Sequence, residues 1–246
     1  MISLKKPDIS SFALKIIAIL SMLVDHTGAM LFPQQYFLRV IGRLAFPIFA
    51  FLIVEGYTHT KNVYRYMGRL ALFAILSEIP FNLLHSYNWF DLVSQNIFFT
   101  LLIALVTIHL IHKDRTMHPV FQLLIGICSM VAAELLRTDY GYLGVLTVLL
   151  FYLFRESRSR ALLFVALLHI FVGLDAVRQG YYPFQCFAAF AVIFIAFYHG
   201  RKGPSLKYFF YIFYPAHIII LTLINHYHFA VLLPPFALPS LFTLPF

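Results

Sequence analysis

An all-α, polytopic transmembrane helix bundle of about nine spans is the fold class that this sequence predicts. Three observations carry that expectation. The 246 residues are 61% hydrophobic and 11% charged, against about 25% charged in ordinary soluble domains. The apolar residues fall into nine runs, most of them near membrane-crossing length, and the basic residues gather in alternate connections between the runs. No water-soluble fold of this length buries so much apolar surface. The 18% aromatic content suits lipid-facing surfaces and interfacial belts.

A hydrocarbon core about 30 Å thick takes roughly 20 helical residues. Spans are expected at Phe12–Phe32, Leu44–Thr60, Leu70–Tyr87, Asn96–His112, Pro119–Arg137, Gly141–Phe154, Ala161–Leu174, Tyr182–His199 and Tyr208–Tyr227. The sixth and seventh runs are short. Either they extend into polar flanks, or one is a broken or re-entrant segment. Lys5 and Lys6 precede the first run in the manner of a signal peptide, but that run has no small-x-small cleavage site and reads as a retained span. The uncharged stretch Phe229–Phe246 carries Pro234, Pro235, Pro239 and Pro245, so a continuous helix is not expected there, and an outer-interface position is. With no soluble domain, low-complexity segment or internal repeat evident, residues 1–246 read as a single transmembrane domain.

With the N-terminus in the cytoplasm, the inner segments hold Lys5, Lys6, Lys15, Lys61, Arg65, Arg69, Lys113, Arg115, Arg155, Arg158, Arg160, Arg201, Lys202 and Lys207. Only Arg39, Arg43, Arg137 and Arg178 fall outside. This positive-inside pattern explains the net charge of +8 without nucleic acid. Cys128 and Cys186 lie in apolar runs without metal-ligand spacing and imply no disulfide framework.

An ionisable group at membrane depth costs on the order of 3 kcal/mol on insertion scales, so each is either functional or a glue between helices. Asp25 and His26 are adjacent in the outer half of the first span, about 100° apart around the helix. Glu55 and His59 share one helix face but have no third ligand, so no metal site is expected. Lys61, Arg65 and Arg69, spaced by four, are either a phosphate clamp or determinants of topology that contact anionic lipid headgroups. Glu78, Pro80 and Asn82 in the third span, with Asn96 and Thr100 opening the fourth, outline a kinked, polar-lined cavity. Glu134, Arg137, Asp139 and Tyr140, and Asp175 with Arg178, lie at outer helix ends, where local ion pairs are the competing explanation. Tyr214, Pro215 and His217 mark the last span.

These residues carry a set of motifs. They are Met22-x-x-Asp25-His26, the run Gly42-Arg43-Leu44-Ala45-Phe46-Pro47-Ile48-Phe49-Ala50-Phe51, and Glu55-Gly56-x-x-His59-Thr60. Tyr66-x-x-Arg69-Leu70, Ser77-Glu78-Ile79-Pro80-Phe81, Asn96-x-x-x-Thr100, Asp139-Tyr140-Gly141 and Tyr214-Pro215-x-His217 follow. Together they resemble the TraX family over nearly the whole chain, most densely in residues 16–100. The family takes its name from a conjugation-encoded membrane protein that acetylates the N-terminus of pilin. The resemblance implies a multi-pass protein of the bacterial plasma (inner) membrane. It implies an acyltransferase that moves an acetyl group from cytoplasmic acetyl-CoA to an amine or hydroxyl of a peptide or glycan acceptor in or across the membrane.

On that resemblance, His26 is the expected general base, oriented by Asp25 or by Glu78 across the helix interface. Arg43 or Asn96 would stabilise the oxyanion. Lys61, Arg65 and Arg69, with His59 and Glu55 beside them, would hold the coenzyme A end. Asn82, Asn96, Asp139, Tyr140 and His217 would line the acceptor site. Two alternatives use the same residues: a transporter for a small polar solute, and a non-catalytic scaffold of a pilus or export assembly.

The charge pattern makes a direct prediction. Residues 61–69, 113–118, 155–160 and 200–207 face the cytoplasm, and single cysteines placed there react only with reagent from that side. Labelling of 155–160 from outside overturns the nine-span arrangement.

Overall fold

The structure, a computed structural model, describes residues 8–85, 93–114 and 116–232. Lys5, Lys6, Arg115, the end of the third expected span at Tyr87 and the tail from Pro234 lie outside the described residues. The chain is all-helical, with no named strand among the described residues. Helices α1 (Ser11–Leu31), α2 (Tyr36–Gly42), α3 (Ala45–His59), α4 (Val63–His85) and α5 (Ile97–Lys113) are followed by α6 (Pro119–Leu135), α7 (Gly141–Leu153) and α8 (Arg158–Arg178). A 3₁₀ segment (Phe184–Phe190), α9 (Ala191–Ala196) and α10 (Lys207–Leu232) complete it.

Five helical stretches are long and apolar enough to cross a membrane: Ser11–Leu31, Tyr36–His59, Val63–Leu84, Arg158–Arg178 and Tyr208–Tyr227. Four shorter apolar helices, Ile97–Lys113, Pro119–Leu135, Gly141–Leu153 and Phe184–Ala196, occupy the other expected runs. Large apolar side chains such as Phe121, Leu123, Phe164, Phe171 and Ile220 point outward, as a lipid-facing surface requires.

Local signals set the ends. Ser10 caps α1 by accepting from the Ala13 amide at 3.1 Å. Asn96 caps α5 by accepting from Phe98 at 3.1 Å. Pro119 opens α6 at its first turn, where a missing N–H costs nothing. Pro80 and Pro215 lie within α4 and α10, and both helices continue past them.

The seventh run does extend into its polar flanks, giving the 21-residue α8. The sixth stays short. Its 13 residues reach about 20 Å at 1.5 Å per residue, below the hydrocarbon thickness. Helix α7 packs against α3, α5, α6 and α8 and buries most of its side chains, so protein rather than lipid surrounds it. The eighth run differs from the continuous span expected. It winds as a 3₁₀ turn and then a short α-helix. The 3₁₀ backbone presses on α8 at Gly173, where a Cβ would fall 2.5 Å from the Cys186 nitrogen.

Helix α1 packs on α2, α3 and α10, and α10 also packs on α4. The first turn of α1 is tied to the loop before α10: Ser11 N donates to Arg201 O at 2.7 Å and Ile9 N to Phe197 O at 2.9 Å. The late part of α1, the α2–α3 corner, the far half of α4, the start of α5 and the α6–α7 connection therefore meet at one end of the bundle. The end of α3, the start of α4 and the far end of α5 lie at the other.

Candidate functional site

Asp25 is the centre of the first cluster. It is 8% exposed and faces the α2–α3 corner. Arg39 Nη1 donates to Asp25 Oδ2 at 2.9 Å, and Arg43 Nη2 donates to both carboxylate oxygens at 2.9 Å. Arg39 also reaches the Asp25 carbonyl oxygen at 3.4 Å. The approach is close because position 42 is glycine: a Cβ there would sit 2.1 Å from Asp25 Oδ1. Charge-assisted bonds of this kind are the strong ones.

Asp139 joins from the α6–α7 connection. Its amide donates to Gln95 O at 2.8 Å, and its carbonyl accepts from the Thr100 hydroxyl. Burial pushes the Asp139 carboxyl up to about 6; Arg43 opposes that shift and the Asp25 charge adds to it. Tyr140 stacks on Phe46 with centroids 4.0 Å apart and holds a left-handed backbone at φ 64°. The local Arg137–Asp139 pair considered from sequence is not among the ion pairs of the described residues; the Arg43 charge, held on Asp25, acts on the Asp139 carboxylate instead.

Glu78 and Asn96 form the second group. Asn96 is fully buried. Its Nδ2 donates to Glu78 Oε2 at 2.6 Å and to Ala74 O at 2.7 Å. Glu78 Oε1 is buried without a hydrogen-bond partner among the described residues. Asn82 is buried on the same stretch of α4, and Tyr214 lies within electrostatic reach of both Glu78 and Asp139.

His26 meets His217 of α10, with Nδ1 and Nε2 2.7 Å apart. The expectation that Asp25 or Glu78 orients His26 is corrected here. Asp25 points around the helix to the two guanidiniums, and Glu78 is turned to Asn96. Tyr214 sets its ring edge-on to His26 at 6.2 Å and to His217 at 5.8 Å.

The other end of the bundle holds the remaining expected residues. Glu55 Oε1 accepts from the Tyr198 hydroxyl at 2.5 Å and lies 3.4 Å from His59 Nδ1. Burial, then the Glu55 carboxylate, push the Tyr198 phenol well above its ordinary value. Glu55 thus anchors the loop before α10. Lys61 is exposed in the α3–α4 turn, off the helix on which Arg65 and Arg69 share a face. Arg65 is exposed; Arg69 lies over the Tyr66 ring at 5.4 Å, with its Nε buried and unpartnered among the described residues.

Sequence reasoning missed His109, His112 and His169. His112 Nδ1 lies 2.8 Å from the Tyr152 hydroxyl, and His109 Nδ1 lies 3.3 Å from that of Tyr57. His169 is fully buried between Thr147 and Gln185. The rule that singled out His26, a titratable group inside an apolar run, applied equally to these. Nothing in the sequence pointed to Tyr198.

An all-helical, membrane-type chain that gathers paired charges and two histidines at one end is a particular class of protein: a multi-helix membrane protein with a built polar site. The chain belongs to the TraX family, whose profile, described as TraX protein, matches residues 10–225. It is 30% identical over 237 residues to the probable fimbrial assembly protein FimC, serogroup H1, of Dichelobacter nodosus, covering 87% of this chain and 95% of that one. A 67-residue stretch is 34% identical to the uncharacterized protein RP591 of Rickettsia prowazekii (strain Madrid E), covering 27% of this chain and 25% of that one. No solved structure matches.

Removing Asp25 leaves two guanidiniums facing each other at membrane depth. Asp25→Ala lowers stability by about 3–5 kcal/mol, the usual loss when one partner of a buried ion pair is deleted. Chemical unfolding of the protein in lipid nanodiscs measures this. A loss below about 1 kcal/mol would place the cluster with solvent-exposed pairs.

Proposed function

We propose that this chain is an acyltransferase of the inner membrane that moves an acetyl group from cytoplasmic acetyl-CoA to an amine or hydroxyl acceptor. The observation that carries this reading is the placement of His26 on the same end of the bundle as the buried Asp25–Arg39–Arg43 and Glu78–Asn96 groups, while Lys61, Arg65 and Arg69, none of them paired with a carboxylate among the described residues, gather at the opposite end. Helix α4 links the two. From Arg65 to Glu78 is 13 residues of helix, about 20 Å, a length suited to an extended pantetheine arm. With a cytoplasmic N-terminus, two crossings at Ser11–Leu31 and Tyr36–His59 return Lys61, Arg65 and Arg69 to the donor side.

In this reading Arg65 and Arg69, with Lys61, bind the coenzyme A phosphates by charge-assisted hydrogen bonds. His59 flanks them, and Glu55 supports the wall through Tyr198. The acceptor nitrogen or oxygen attacks the thioester carbonyl, and His26 takes the acceptor's proton. Asn96 uses both amide hydrogens on Ala74 and Glu78, so Arg43 is the better placed donor to the oxyanion. The tetrahedral adduct collapses, the carbon–sulfur bond breaks, and the thiolate recovers the proton from His26. Glu78 Oε1, Asn82, Asp139 and Tyr140 line the acceptor side.

The fimbrial assembly name of the Dichelobacter relative also fits a non-catalytic assembly role, and one assay separates the two. Purified protein in nanodiscs is titrated with acetyl-CoA and then supplied with candidate acceptors. Acetyl-CoA binds the wild type. Arg65→Ala with Arg69→Ala weakens binding by about 1.5–3 kcal/mol per lost contact, and His26→Ala keeps binding but loses 10²-fold or more in turnover, roughly the worth of a general base. No binding of acetyl-CoA by the wild type supports the assembly role.

A further inference from the structure

The contacts of His217 determine where the protons on both histidines lie. His217 Nδ1 is 2.8 Å from the Phe213 carbonyl oxygen, one turn earlier in α10. A carbonyl oxygen only accepts, so Nδ1 carries the hydrogen. A neutral imidazole has one N–H, which leaves the lone pair of His217 on Nε2. The atom 2.7 Å from that nitrogen is His26 Nδ1, and it must donate. His26 therefore holds its hydrogen on Nδ1 and its own lone pair on Nε2.

The ring geometry supports a hydrogen bond rather than a stack. The two planes are tilted by only 6° with centroids 4.9 Å apart, and two nitrogens approach closer than stacked faces can. His217 is 4% exposed and is packed by Phe213, centroids 5.0 Å apart, and by the edge of Tyr214. These contacts suit a neutral ring held in one orientation. Pairs of this kind, in which one partner fixes which nitrogen of a histidine is basic, are a recurring way to set a tautomer.

We propose that His217 is a positioning residue that fixes the tautomer and ring orientation of His26, so that His26 Nε2 is the nitrogen that exchanges protons with the acceptor. This rests on the acyl-transfer reading for its catalytic consequence, but the tautomer itself does not. The acceptor's proton goes to Nε2 as its nitrogen or oxygen bonds to the acetyl carbon. His26 is then an imidazolium that keeps its Nδ1 hydrogen bond to His217. It returns the Nε2 proton to the departing thiolate sulfur.

The test uses the full chain in lipid nanodiscs with ¹⁵N-labelled histidine, at a pH well above the ordinary histidine value of about 6.5. Nitrogen NMR reads each tautomer, and His26→Ala identifies the His26 signals. The wild type shows His26 protonated on Nδ1 and bare on Nε2. His217→Ala moves that proton to Nε2 or mixes the two forms. His217→Gln, whose side-chain oxygen can accept from Nδ1, restores the wild-type pattern. In acetyl transfer, His217→Ala lowers kcat tenfold or more with the KM for acetyl-CoA unchanged, and His217→Gln recovers most of the loss. A wild-type His26 protonated on Nε2, or a pattern unmoved by His217→Ala, overturns the proposal. If His217→Ala does not fold, the wild-type spectrum and His217→Gln decide it. If the wild type transfers no acetyl group, the acyl-transfer reading falls, and the spectra still decide the tautomer.

Discussion

A carboxylate between two guanidiniums, inside a chain built of apolar helices, is the constraint around which one end of this protein is arranged. A charge at membrane depth is expensive, and its cost falls only when the opposite charge is close and well aligned. Asp25 meets that condition with three contacts of 2.9 Å. The surrounding backbone serves them. Helix α2 ends after seven residues, and the chain turns at Arg43 so that both arginines return to α1. Gly42 allows the approach, since any larger residue would collide with Asp25.

The rest of the site follows from that corner. Asp139, on the α6–α7 connection, is fixed by bonds from its backbone to Gln95 and Thr100 at the start of α5, within reach of the Arg43 charge. Asn96, one residue beyond Gln95, ties α5 to Glu78 on α4. With Asp25 turned toward α2, its neighbour His26 is presented to α10, where His217 receives it. Five separate helices and one connection thus share a polar interior. Helix α7, short and enclosed, fills the middle of the bundle.

Much of this was legible in the sequence. Apolar run length located the long helices, because the hydrocarbon thickness sets that length directly, but not α2, which lies in the connection before the second run. The intramembrane rule located Asp25, His26, Glu78, Asn96 and His217, because a polar side chain in an apolar run is conspicuous; Arg43 and Asp139 lie in connections, and Arg43 took its role from the family resemblance. Pairing was not legible. Asp25 and His26 are adjacent in sequence but face different helices, and Glu78 was matched to His26 when its partner is Asn96. Helical spacing gives only the angle around one axis, whereas partners depend on how helices rotate against each other. The broken winding of residues 184–196 was hidden too, since a 3₁₀ segment in a protein interior has the same apolar composition as a span. Lys61 was grouped with Arg65 and Arg69 by spacing alone, and the α3–α4 turn separates it from them.

A double-mutant cycle on Asp25 and Arg43 tests most directly whether their pairing governs this end of the bundle. Stability is measured in lipid nanodiscs for the wild type, Asp25→Asn, Arg43→Gln and the double variant. If the carboxylate and guanidinium are held as a buried pair, the double variant is more stable than the sum of the two single losses implies. The expected coupling lies in the upper part of the range of about 0.5–3 kcal/mol seen for residues in direct contact. Losses that add to within about 0.3–0.5 kcal/mol would mean that the two residues act independently, and would contradict a site organised by their contact.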